Sequence, residues 1–163
     1  WTCLRGGISV DDRTFRNAMG KFATGVTVIT TEVDGEVHGM TANAFMSVSL
    51  NPKLVLVSIG EKAKMLDKIQ RSGTYAVNIL TDEQKDVSMA FAGQIKEKRH
   101  VQFGRAGGVP VLEEALASIV CRVHGQHVAG DHTLFIGEVM EIVMREGSPL
   151  IFYEGKYGKV VSE

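Results

Sequence analysis

The sequence predicts a mainly β protein with peripheral α-helices, folded as an antiparallel barrel. Three observations carry this. Stretches rich in β-branched or alternating apolar residues recur at 26–33, 36–41, 53–59, 74–80, 118–127, 133–144 and 150–153. Turn signals such as Asp34-Gly35, Gly130-Asp131 and Gly147-Ser148-Pro149 separate most of them, so the connections are short. Only three stretches carry helical periodicity. Short antiparallel connections with few helices close a sheet on itself and do not build a doubly wound one.

The chain has 163 residues, 44% of them hydrophobic and 23% charged, which suits one soluble domain with a real core. A formal net charge of -1 draws the molecule neither to nucleic acid nor to an anionic membrane, and neither is expected as a partner. No apolar run approaches the roughly 18 residues that span a bilayer. The two cysteines, Cys3 and Cys121, form no CxxC and read as free thiols of a reducing compartment, the cytoplasm, with a Cys3–Cys121 disulfide as the alternative. Residues 1–10 lack the shape of a signal peptide and read as a remnant or disordered extension before a single domain at 11–163.

Taken in order, Asp11-Asp12 opens a first helix over 13–22, placed where an N-cap and the helix dipole favour acids. Phe15, Ala18, Met19 and Phe22 make its apolar face. The strand over 26–33 turns at Asp34-Gly35 and returns over 36–41. A short helix over 63–71 sets Met65, Leu66 and Ile69 on one side and stops at Gly73. After the strand over 74–80, Thr81 to Gln84 resembles a capping box and opens a helix through Phe91, closed by Gly93. Residues 94–105 are charged without period and read as a loop; 107–110 read as a turn and 112–117 as ambiguous. Two long strands around Gly130-Asp131-His132 and a short one at 150–153 complete the chain.

The stretch 39–59 organises the rest. Its ends read as strands and its middle as small neutral residues: Thr41, Ala42, Asn43, Ala44, Ser47 and Ser49, with Val48 among them. Small side chains let a flat ligand approach the backbone, and hydroxyls and amides bond to it without fixed charge. That suits a neutral heteroaromatic ring; the alternative is an ordinary sheet edge with a polar loop. Other candidates carry similar pairs of readings. His132 enters a long strand from a glycine turn, either facing a pocket or bonding its own loop. Phe91-Ala92-Gly93 offers backbone N–H groups and a ring edge, or a plain helix end. Lys62 and Lys64 precede a helix N-terminus, the wrong end for cations unless an anion docks there. Tyr153 and Tyr157 close a pocket or merely end the last strand.

Motifs for dinucleotide and phosphate loops and for a nucleophile elbow are absent. His124 and His127 fall on opposite faces of a strand, so no metal site is expected. His38 and His100 read as surface residues.

The segments FRNAMGKFATGVTVITT, HGMTANAFMSVSLNPKLVLVSI, YAVNIL, the FAG triplet at 91–93 and AGDHTLFIGEV together resemble the short-chain flavin reductases of two-component monooxygenases, within the FMN-binding split-barrel superfamily. The resemblance runs from Phe15 to Tyr157. It is greatest to the reductase components of bacillary phenol hydroxylases, then to those of 4-hydroxyphenylacetate hydroxylases. It implies a six-stranded Greek-key split barrel, a homodimer, and NADH-driven reduction of FAD, with FMN as the alternative flavin. Reduced flavin would pass by diffusion to a separate oxygenase that hydroxylates an aromatic substrate. By motif, Thr41, Ala42, Asn43, Ala44, Ser47, Val48 and Ser49 line the flavin, and Ser58, Ile59 and Gly60 continue that wall. Lys62 and Lys64 hold its phosphate, although many relatives carry Ser or Thr in this turn. Phe91, Ala92 and Gly93 flank the ring or the adenylate. His132 is the catalytic candidate, facing the nicotinamide with Tyr153 and Tyr157 nearby. The loop 94–105 departs most from the pattern and is where preference would differ.

Hydride transfer between two bound rings needs no acid–base pair from the protein, consistent with the absence of a triad or carboxylate dyad. The rival readings are a flavin-binding (or haem-binding) split-barrel carrier or sensor without turnover, a pyridoxamine-phosphate oxidase-like enzyme, and a non-catalytic oxygenase subunit. The second would need a basic cluster that is not found.

Overall fold

The computed structural model describes residues 10–93 and 101–163. Cys3, His100 and the expectations for residues 1–9 and 94–100 lie outside the described residues. The first helix, α1 (Asp12–Gly20), is capped as expected: Asp11 Oδ1 accepts from Thr14 N at 2.8 Å. It ends earlier than the periodicity suggests, because Lys21 and Phe22 N–H bond back only three residues, to Ala18 and Met19. Its apolar face stays mostly open to solvent among the described residues. Phe15 and Met19 are each 56% exposed and Phe22 79%.

After the two-residue β1 (Thr24–Gly25) come β2 (Thr27–Val33), β3 (Glu36–Ala42), β4 (Phe45–Leu50) and β5 (Lys53–Gly60). Asp34 and Gly35 both take left-handed φ, 53° and 76°, as a two-residue hairpin turn requires. Then follow α2 (Lys64–Ser72), β6 (Thr74–Ile79) and α3 (Lys85–Phe91). The chain continues through β7 (Phe103–Ala106), β8 (Val109–Leu112), β9 (Ala117–Ala129), β10 (His132–Met144), β11 (Leu150–Tyr153) and β12 (Lys156–Lys159).

Seven strands form the main sheet in the order β3-β2-β6-β9-β10-β5-β4, with every pairing antiparallel. Its two edges, β3 and β4, follow each other in the chain through Asn43 and Ala44, so the barrel is split along that seam. The resemblance implies six strands. The seventh is β4: residues 45–50 look like a polar loop by composition, yet pair with β5 through their backbone, with a bulge between Ser47 and Ser49. Two further corrections concern the loops. Residues 103–106 are a strand rather than loop, paired with 109–112 across Gly107-Gly108. Residues 156–159 form β12, which joins β1 and β11 in a small separate sheet.

Inside the barrel, Ile29, Val57, Ile59, Tyr75, Val77, Cys121 and Phe135 are wholly buried. α2 plugs one end with Met65 and Ile69, and Gly73 caps it with φ 73° and an N–H bond to Ile69 O at 2.8 Å. β2 does not alternate, because a second cluster covers its outer face: Val26, Val28, Leu80, Phe91, Leu112, Ala115 and Leu150. Asn78 ties the layers together. Its amide donates to Val28 O and Thr30 Oγ1, and its carbonyl accepts from Leu112 N and Ser118 Oγ, all at 2.8 to 3.0 Å. That satisfies every bond a buried Asn side chain offers.

Candidate active site at the barrel seam

The seam is held from both sides. Thr27 Oγ1 donates to Ala42 O and Thr41 Oγ1 to Ser88 O, each at 2.7 Å. Phe45 N donates to Asn43 O at 3.0 Å and Ser58 N to Ala44 O at 3.1 Å. Asn43 and Ala44 are therefore fixed in backbone but exposed. A cavity of about 220 Å³ opens beside them, between Thr41, Ala42 and Asn43 on one wall and Phe152, Gly155 and Tyr157 on the other, with Ser88 and Ala92 below. Tyr157 is immobilised there: its hydroxyl shares a 2.8 Å hydrogen bond with Ser88 Oγ, and its ring meets Phe152 edge-on at 5.4 Å.

Two larger cavities adjoin. One of about 760 Å³ shares Asn43, Phe152 and Gly155 with the first and is walled by α1 through Phe15, Met19 and Phe22. The other, about 720 Å³, lies across Ala92 between His38, Gly39 and Met40 of β3, Lys64 and Lys68 of α2, and Phe91, Gly93 and Phe103. These volumes are in the range of small-molecule sites. Phe91 packs directly against Gly39: a Cβ there would stand 2.6 Å from the ring. Its own ring is 7% exposed and packs edge-on against Phe103. His38 is not a plain surface residue; it is half-buried in this wall, with Nε2 out of contact with solvent.

The expected site residues fall into groups. Thr41, Ala42, Asn43, Ala92 and Tyr157 meet in the small cavity. Lys64, Phe91, Ala92 and Gly93 meet in the 720 Å³ cavity. Ser58 and Gly60 lie half-buried on β5 and line none of the three cavities, Ser58 being bonded to Ala44, whereas the Ile59 side chain points wholly into the core. Ser47, Val48 and Ser49 lie on the edge strand β4 and line none of these three cavities. His132 pairs with Gly60 at the end of β10, next to the turn that carries Lys62. It shares no hydrogen bond or ring contact with Tyr153 or Tyr157 among the described residues. Tyr153 stays largely exposed on the small sheet.

Sequence reasoning missed Ser88, Phe152, His38 and Gly39 as site residues. Ser88 and Gly39 left a signal, a hydroxyl and a glycine inside otherwise regular elements. Gly155 stood between Tyr153 and Tyr157, the pair read as closing a pocket or ending the last strand, whereas Phe152 left no signal, because β12 went unrecognised. Lys21 and Glu154 form an ion pair that fastens the end of α1 to the turn between β11 and β12; the pairing holds Glu154 below and Lys21 above their ordinary ranges. Among the described residues, no group of three His, Cys, Asp or Glu side chains is placed to hold a metal ion.

The fold and seam define a class: a split barrel whose groove presents small neutral side chains and aromatic walls. The flavin reductase like domain matches residues 19–160. The chain is 51% identical over 145 residues to an NADH-dependent flavin reductase of Rhodococcus, covering 87% of this chain and 82% of that one. It is 39% identical over 148 residues to the reductase component of 4-hydroxyphenylacetate 3-monooxygenase from Thermus thermophilus, covering 90% and 95%. A solved structure of the flavin reductase PheA2 in its native state superposes with a TM-score of 0.92 at 67% identity, over 94% of this chain and 100% of that one. The chain belongs to the flavin reductase like domain family.

Proposed function

We propose that this protein is an NADH-dependent flavin reductase that supplies reduced flavin, FAD before FMN, to a separate oxygenase acting on a phenol-like aromatic. The observation that carries this is family membership over residues 19–160 joined to a groove that fits the ring. The fit rests on the donor set. Asn43, the Ala44 backbone and Ser58, half-buried on β5, offer neutral amide and hydroxyl groups, and no carboxylate lines the small cavity beside Asn43. The bound flavin supplies the hydride-accepting ring and NADH the hydride.

The protein's part is to bind, orient and exclude water. Thr41, Ala42, Asn43 and Ala44 form one wall, with Ser58 and the Ile59 and Gly60 backbone beyond them. Tyr157 forms the opposite wall, and Tyr153 stands at the rim. Ser47, Val48 and Ser49, on the edge strand outside the three cavities, would meet the flavin only where it extends along β4. Lys62 and Lys64, at the start of α2, hold the flavin phosphate. Phe91 supports the 720 Å³ cavity from inside the core, while Ala92 and Gly93 present backbone to the remainder of the cofactor. His132 faces the nicotinamide. Holding the two rings at near-attack distance, roughly 3–3.5 Å, accounts for the rate.

The same reading takes the domain as 11–163, the active form as a homodimer, the location as the cytoplasm and the transfer of reduced flavin as diffusive. No helix among the described residues is long and apolar enough to cross a membrane. The test is anaerobic: protein, excess FAD and NADH, followed at the flavin band near about 450 nm, a property of the cofactor. Bleaching of many equivalents is expected. Flavin that binds but stays oxidised would make the protein a carrier or sensor instead.

A further inference from the structure

Lys85 stands where a lysine gains nothing from its own helix. It opens α3, the end where backbone N–H groups point outward and acids are favoured over cations. Its side chain is exposed, and it forms no ion pair among the described residues. The ammonium instead lies over the ring of Tyr157, with Nζ 5.5 Å from the centroid. That is inside the roughly 6 Å over which a cation is drawn to the negative face of a ring.

α3 grips this ring twice. Lys85 and Ser88 are three residues apart and share a helix face. Ser88 Oγ bonds the Tyr157 hydroxyl at 2.8 Å, while Lys85 covers the ring. Tyr157 lines the cavity of about 220 Å³, whereas Lys85 lines none of the three cavities. The positive charge therefore stands behind the wall, with the ring between it and the groove. No carboxylate lines that cavity to oppose the charge.

Hydride transfer changes the charge of what the groove holds. A hydride carries two electrons and one proton, so a neutral ring that accepts one becomes an anion as NADH becomes NAD⁺. A cation near the site favours the anion over the neutral ring. We propose that Lys85, acting through Tyr157, makes the groove hold reduced flavin more tightly relative to oxidised flavin, and so raises the potential of the bound flavin. Lys85 is a positioning residue in this sense, touching the wall and not the flavin. The proposal rests on the reading that Tyr157 forms a wall of the flavin groove.

Anaerobic spectroelectrochemistry of bound against free FAD reads the ratio of the two affinities without turnover. Lys85→Met keeps the unbranched stem and removes the charge. It should lower the preference for reduced over oxidised flavin about three- to tenfold, a drop of about 14 to 30 mV at roughly 30 mV per tenfold for a two-electron couple. Lys85→Arg keeps a cation over the ring and should stay within about twofold of wild type. In the wild type the preference should shrink between about 0.01 M and about 1 M salt, as screening shortens from about 30 Å to about 3 Å; in Lys85→Met it should change less. Lys159→Met removes a cation of β12 that makes no contact with the ring, and controls for net charge. Tyr157→Leu should weaken binding of oxidised FAD, read by fluorescence quenching, and Lys85→Met added to it should move the potential less than in wild type. A wild-type potential in Lys85→Met overturns the proposal, as does an equal shift in Lys159→Met or an Arg variant as shifted as the Met variant. If Tyr157→Leu binds oxidised FAD like wild type, the reading of Tyr157 as a wall falls, and the proposal with it. If Tyr157→Leu is impaired and Lys85→Met is silent, only the role of Lys85 falls.

Discussion

Cys121 illustrates how position alone sets the chemistry of a side chain. It is wholly buried in the barrel beside Tyr75, and burial pushes its thiol from 9.0 up to about 12, with Tyr75 partly opposing. Such a thiol is inert toward alkylation in the folded state. It also makes stability depend on pH. Below 9.0 the thiol is neutral in both folded and unfolded chains and the contribution is fully present. As pH rises from there toward about 12, the unfolded chain releases its proton first and stability falls. The loss attributable to this group is at most about 1.4 kcal/mol per pH unit. Tyr75, also raised by burial, adds in the same direction. In thermal-unfolding series from about pH 7 to about 10.5, Cys121→Ala should lose stability less steeply than wild type. Parallel curves would mean that the thiol does not titrate differently on folding.

At the scale of elements, α3 and β12 are coupled through one hydroxyl pair, and that pair forms the floor of the groove. Ser88 is fully buried, and its Oγ bonds Tyr157 while its carbonyl accepts from Thr41. Tyr157→Phe should cost about 1–2 kcal/mol in urea unfolding, because it leaves the Ser88 hydroxyl unpaired. Adding Ser88→Ala should recover most of that stability, since removing both partners is nearly neutral. Flavin affinity, read by fluorescence quenching, should not recover, because β12 would no longer be fastened to α3. Recovery of both would reduce the pair to a packing detail. The amphipathic pattern of α2 foretold its buried face, Met65 and Ile69, because the covering barrel end is built from the same chain. The pattern of α1 was equally clear, but Phe15, Met19 and Phe22 stay mostly exposed among the described residues, and periodicity cannot name what covers them. Residues 45–50 were misread for a different reason. An edge strand is held by backbone bonds, so its side chains need not look like strand. The seam residues 41–44 were legible as small and neutral; that Phe91 turns inward onto Gly39 was not, because it depends on a contact between elements far apart in sequence.

At the scale of the whole molecule, the exposed apolar surface is not scattered. Met46, Val48 and Leu50 stand on β4, a free sheet edge, with Leu50 79% exposed. Met140, Ile142, Val143 and Met144 stand on the part of β10 beyond its pairing with β5, with Met144 76% exposed. A lone strand edge carrying apolar side chains invites pairing with another chain unless it is covered. In the proposed homodimer, a second copy of this chain would supply such a cover with closed symmetry, as in most soluble oligomers. Charge placed on that edge should therefore break the assembly. Sedimentation velocity should show a dimer for wild type and a shift toward monomer for Met46→Lys combined with Leu50→Lys, with the fold retained by circular dichroism. Reductase turnover should fall in step with the dimer fraction if β4 and its Ser47 and Ser49 complete the groove only when covered. A wild-type monomer would remove the dimer from the proposed function. A dimer indifferent to both lysines would move the interface to the apolar face of α1, where Phe22→Lys becomes the deciding variant.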